Sequence, residues 1–107
     1  MQALPPREEV ILDFRNCKSR DEVYRELHQK MEWEDWYGHN LDALWDILTG
    51  MSYRGNHFLI LRPKHYHGIP YGHDKEFTLY VDKICSLFME AQDEYGEITA
   101  SIQYSEV

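Results

Sequence analysis

With 107 residues, 43% of them hydrophobic and 14% aromatic, the chain suits one folded domain, spanning residues 1–107, and excludes a disordered tail. Its longest apolar run is the four residues Phe58-Leu59-Ile60-Leu61, far short of the ~20 needed to cross a bilayer as a helix. The net charge of −8 disfavours direct binding of nucleic acid and favours a basic partner.

Residues 10–14, Val-Ile-Leu-Asp-Phe, read as a buried strand. Ser19 and Glu22 form a capping box, with Ser19 at the N-cap and Glu22 at N3. The helix that follows places Val23, Tyr24, Leu27 and Met31 on one face. Residues 33–39 read as a loop, with Gly38 as its turn residue. Asn40 is the expected N-cap of a second helix. Leu41, Leu44 and Leu48 make its inner stripe with Ile47 beside them, Asp42, Asp46 and Thr49 point the other way, and Trp45 sits at the boundary. Gly50 suits the C-terminal stop.

Residues 57–61 are apolar without alternation, the pattern of a parallel strand covered on both faces. Residues 62–75 form a long connection punctuated by Pro63, Gly68, Pro70 and Gly72, with room for one short helix. A third helix is expected over residues 76–95, with Val81, Ile84, Cys85, Phe88, Ala91 and Tyr95 inward and Glu90 opposite them. Residues 98–104 alternate and make the last strand. The order strand, helix, helix, strand, helix, strand argues an α/β fold with a small parallel sheet.

Charge is unevenly placed along this order. No Lys or Arg occurs between Lys30 and Arg54, or after Lys83, and these two stretches hold ten of the nineteen acids. If they meet in space they form a strongly negative surface. The two cysteines, Cys17 and Cys85, are too few for a disulfide framework and read as free thiols. The first six residues offer neither a basic start nor an apolar segment, so no secretory signal is expected and the cytoplasm is the expected location.

The densest chemistry lies in Trp36, Tyr37, Gly38, Asn40, Asp42, Trp45, Asp46, Thr49 and Gly50. Asp42 and Asp46 are one helical turn apart, and like charges at that spacing weaken a helix. A solvated polar face is the ordinary account of such a helix. Aromatic anchors beside carboxylates also suit a protein interface with a cationic pocket opposite. General acid–base catalysis by the pair lacks a neighbouring nucleophile or any source of a perturbed pKa. Cys17 and His28 are compatible with a nucleophile pair by residue type alone. His65, His67, His73 and Asp74 match no metal-binding spacing and read as surface residues. No catalytic residue, metal or cofactor is expected.

The run from Trp36 to Gly50, centred on Tyr37-Gly38-His39-Asn40-Leu41-Asp42-Ala43-Leu44-Trp45-Asp46, closely resembles the signature of the barstar family, intracellular inhibitors of the bacterial ribonuclease barnase. Phe88-Met89-Glu90-Ala91 and the stretch from Glu94 to Thr99 resemble that family's last helix and strand. The resemblance implies a three-stranded parallel sheet packed with three to four helices, and an inhibitor without catalysis of its own. It implies that Asp46 is the central carboxylate occupying the enzyme's phosphate site and that Asp42 is a second acidic contact. Thr49 and Gly50 match contacts at the helix end, Glu90 a peripheral acidic contact, and Trp45 a position that shapes the surface. Trp36 takes the place of a family tyrosine that packs on a catalytic histidine.

Met51 stands in place of a family tryptophan, His39 in place of a glutamate, and the connection over residues 62–75 is longer and richer in histidine. These departures point to a toxin other than barnase. The expectation is an immunity protein whose partner is a basic ribonuclease or ribonuclease-type toxin domain. The alternative is an acidic interaction module that binds a basic non-enzyme partner.

Overall fold

The computed structural model describes residues 9–31, 38–50, 56–95 and 98–105. In chain order the elements are β1 (Glu9–Asp13), α1 (Arg20–Met31), α2 (Leu41–Thr49), β2 (His57–Pro63), a 3₁₀ turn (Pro70–Gly72), α3 (Asp74–Tyr95) and β3 (Thr99–Ser105). The strands form one sheet in the order β1-β2-β3, with both neighbouring pairs parallel. This is the α/β architecture expected from the alternation of elements, because parallel neighbours need long helical crossovers.

Register sets the core. Val10 pairs with Phe58 and Phe58 with Ala100, while Leu12 pairs with Ile60 and Ile60 with Ile102. Those side chains share one face. They pack with Val23 and Leu27 of α1, Leu44 and Leu48 of α2, and Val81, Ile84 and Phe88 of α3 in a single cluster. Within it the Phe58 and Phe88 rings meet edge to face at 5.1 Å.

The expectation that β2 is covered on both faces does not hold among the described residues. Its second face carries Leu59 and Leu61, which are half-buried. Their neighbours across the register are Ile11, Asp13, Ser101 and Gln103, and Ile11, Ser101 and Gln103 are exposed. Polar residues on β3 leave that face too hydrophilic to bury a helix. The free edge of β1 is capped instead by α1. Glu26 Oε2 accepts the Asp13 N–H at 2.8 Å, and Lys30 Nζ donates to the Ile11 carbonyl at 3.2 Å, so a second chain cannot easily pair there.

α1 begins where the capping signal places it, with Ser19 Oγ accepting the Glu22 N–H at 3.2 Å. Glu22 reaches back one residue further than in the usual box and accepts the Lys18 N–H. Val23, Tyr24, Leu27 and Met31 are all buried. α3 starts at Asp74, two residues earlier than expected, because the Asp74 carboxylate accepts the Ile69 N–H at 2.8 Å and folds the preceding turn onto the helix. Val81, Ile84, Cys85, Phe88 and Ala91 are buried as expected; the side chain of Tyr95 lies outside the described residues.

β2 runs two residues beyond its expected end, and Arg62 is buried with 1% exposure. Its Nη1 meets Asp82 Oδ1 at 2.6 Å, its Nε and Nη2 donate to the Pro63 and Lys64 carbonyls, and Tyr66 and Tyr104 flank the guanidinium. Burial works against its charge, but the hydrogen bonds to Cys85 and Asp82 outweigh it and raise its pKa. Both cysteines are buried and unbridged. Burial pushes the Cys17 thiol up to about 12, the opposite of what a nucleophile needs.

Candidate functional site

α2 is held by its ends and its inner face. At the start, Asn40 is extended and its Oδ1 accepts the Ala43 N–H at 2.8 Å, satisfying one of the helix's orphan donors. Gly38 serves that cap, since a Cβ there would come within 2.5 Å of Asn40 Nδ2. At the other end the Gly50 N–H donates to the Ile47 carbonyl at 3.2 Å. Gly50 is not left-handed, as a glycine stop usually is, but extended at φ −75. Its smallness matters through close approach, because a Cβ would lie 3.3 Å from the Asp46 carbonyl.

Ala43, Leu44, Ile47 and Leu48 are the buried residues of α2. The inner stripe is therefore rotated from the expected one, and Leu41 and Trp45 are half-buried at its margins. Leu41 sits beside a cleft of about 500 Å³ between α1, α2 and α3, whose walls include Arg20, Tyr24, Asn40, Asp42 and Tyr80. Thr49 spends its hydroxyl on the Trp45 carbonyl at 2.9 Å, with a longer contact of 3.5 Å to that of Asp46. It is half-buried rather than fully outward.

Asp42 and Asp46 are exposed, as is Glu90 on α3. α2 packs against α3, so Asp42 and Asp46 lie on a helix that neighbours the one carrying Glu90, Asp93 and Glu94. Elsewhere the ion pairs Arg15–Asp13, Lys30–Glu26 and Arg62–Asp82 neutralise acids internally. No described lysine or arginine pairs with Asp42, Asp46 or Glu90. Trp36 and Tyr37, and likewise Met51, lie outside the described residues.

The approach to α2 is fixed by contacts that spacing does not reveal. The His39 ring stacks on Tyr24 with centroids 5.4 Å apart, and its Nε2 shares a hydrogen bond with His28 Nε2 at 3.0 Å. Tyr24 and Tyr80 are joined through their hydroxyls, and the Arg20 guanidinium lies 4.0 Å over the Tyr80 ring. Burial is the main cause of a Tyr24 pKa raised well above the usual phenol value, and the bond to the Tyr80 hydroxyl adds to it. Among the described residues no three His, Cys, Asp or Glu side chains are grouped as a metal-binding set, and no helix is long and apolar enough to cross a membrane.

The sequence model of one family, described as "Barstar (barnase inhibitor)", matches residues 7–105. A protein of Bacillus subtilis (strain 168), named "Putative ribonuclease inhibitor YrdF", is 44% identical over 41 residues. That stretch takes in 38% of this chain and 45% of the B. subtilis protein, so the match spans less than half of that relative's length. A three-stranded parallel sheet, a side-chain-capped α2 with its acids outward, and a family match over nearly the whole length agree: the chain belongs to the barstar family.

Proposed function

We propose that this chain is a protein inhibitor of a ribonuclease and that α2 blocks the enzyme's active site by imitating RNA phosphates. One observation carries the reading: Asp42 and Asp46 are exposed, a turn apart, on a helix whose other side is buried. Ribonuclease clefts hold phosphate with Arg, Lys and His, and two carboxylates on a fixed helix can satisfy those groups in place of RNA. The backbone of α2 is held by the Asn40 cap and by four buried side chains, so little conformational freedom is lost on docking.

In this reading Asp46 is the central contact and Asp42 the second. Trp36, Tyr37, Gly38, Asn40 and Trp45 supply desolvated area around them, and Thr49 and Gly50 meet the partner at the helix end. Glu90 acts at the rim and mainly on the rate of association. The chain is then a single non-catalytic domain over residues 1–107, an immunity partner of a ribonuclease-type toxin, acting in the cytoplasm. The family match and the named relative support the inhibitor class.

The test is capture from the native host with the wild-type chain and with Asp46→Ala as baits, followed by a ribonuclease assay on the captured material. The proposal expects a ribonuclease held by the wild type, silent in its presence and active once separated. Capture of a basic protein without ribonuclease activity would move the assignment to a plain acidic interaction module.

A further inference from the structure

We propose that His28 and His39 are the protein ligands of a binding site for a transition-metal ion of the Zn²⁺, Ni²⁺ or Cu²⁺ class, with water completing the coordination. Their Nε2 atoms lie 3.0 Å apart. With metal–nitrogen bonds of about 2.0–2.1 Å, neighbouring ligands of one ion stand about 2.9 Å apart in a square or octahedral shell and about 3.4 Å apart in a tetrahedral one. The two ring planes are nearly perpendicular, at 80°, with centroids 5.0 Å apart, so nitrogen edges meet rather than ring faces. A neutral imidazole carries one N–H and one lone pair, and in the free chain a single proton links the two nitrogens. When the donating ring shifts that proton to its own Nδ1, both Nε2 lone pairs point to one ion without any net loss of protons.

The pair is arranged before an ion arrives. His28 is half-buried on α1, and His39 lies in the connection that leads into α2. The His39 ring is stacked on Tyr24 with planes 6° apart, and Tyr24 is buried and joined to Tyr80 through the hydroxyls. Little side-chain freedom is therefore left to lose on binding. The electrostatics favour a divalent cation, since the chain carries a net charge of −8 and Asp21 and Asp42 line the same cleft as His39. Arg20, the cation in that lining, is held over the Tyr80 ring. Imidazole nitrogens suit zinc, nickel and copper, whereas Mg²⁺ and Ca²⁺ require oxygen ligands. Two protein ligands fall short of the three-residue set of a closed structural site, which sets a modest affinity and leaves positions open to water. His39 directly precedes Asn40, the cap of α2, so a bound ion ties α1 to the start of α2. The site stands whether or not α2 is an inhibitory face.

The full untagged chain is titrated with ZnCl₂ and, separately, with MgCl₂ by isothermal calorimetry. One Zn²⁺ should bind saturably and Mg²⁺ should not. His28→Ala and His39→Ala should each weaken Zn²⁺ binding at least about tenfold, no less than losing a group behind a ligand does. The double variant His65→Ala/His67→Ala should bind Zn²⁺ as the wild type does. A second measurement needs no variant: substoichiometric Cu²⁺ should broaden the ring signals of His28 and His39 in the NMR spectrum before those of His57, His65, His67 and His73. The proposal is overturned by a Zn²⁺ Kd above about 1 mM, by equal binding of Mg²⁺, or by full binding in either single variant. Loss of binding in the double variant, or first broadening at any other histidine, overturns it as well.

Discussion

Asp42 and Asp46 stand one turn apart on the exposed side of α2, and no described lysine or arginine answers either of them. Their mutual repulsion should cost the free protein about 0.2–0.5 kcal/mol. Asp46→Ala is therefore expected to raise the urea midpoint slightly, since it removes that repulsion and installs the best helix former. A marked loss of stability in this variant would mean that Asp46 has an internal role after all.

The Asn40 cap is expected to matter more to the site than its exposure suggests. Asn40→Ala removes the acceptor for the Ala43 N–H and should cost about 1 kcal/mol. The loss should appear as faster amide exchange in the first turn of α2, where the cap is the local restraint. Unchanged exchange there would show that another group holds the helix start.

Arg62 and Asp82 make an asymmetric pair, with side-chain exposures of 1% and 49%. Removing Asp82 leaves a buried guanidinium short of its counter-charge, so Asp82→Ala should destabilise by about 2–4 kcal/mol. Arg62→Met fills the same space without charge and returns Asp82 to water, and should cost less. Chemical denaturation of the two variants decides between this order and its reverse.

One acid-dependent contribution is assigned to Asp13. The Arg15 guanidinium hydrogen-bonds its carboxylate at 2.9 and 2.7 Å, and this, against a smaller opposing effect of burial, holds the pKa below its usual 3.8. A depressed folded pKa stabilises above the unfolded value, so the contribution is complete above about pH 5 and fades as the pH falls through 4 and below. Asp13→Asn should make the denaturation midpoint less sensitive to pH in that acid range and leave its pH dependence near neutrality unchanged. An identical acid limb in wild type and variant would remove this assignment.

The fold was legible in the chain wherever local periodicity decides burial. The stripes of α1 and α3 repeat at helical spacing, and the caps at Ser19 and Asn40 carry their own side-chain chemistry. The end of β2 was not legible, because Arg62 looks like a loop residue until Asp82, twenty positions on, is folded against it. The open second face of the sheet was hidden for a similar reason. Leu59 and Leu61 read as doubly covered, and only the register with Ser101 and Gln103 shows that their surroundings are polar. In the candidate site, the outward placement of Asp42 and Asp46 follows from their spacing. The His39–Tyr24–Tyr80 contacts do not, since they join residues far apart in sequence on α1, on α3 and in the connection that leads into α2.

The central claim concerns the partner, and the dissociation constant of the captured ribonuclease for wild type and Asp46→Ala tests it most directly. A carboxylate that neutralises an enzyme's phosphate-binding groups leaves them buried and unpaired when it is removed. Asp46→Ala should therefore weaken binding by at least about 2 kcal/mol, roughly thirtyfold, and by more than Asp42→Ala does. The same constant for wild type and Asp46→Ala would contradict the account.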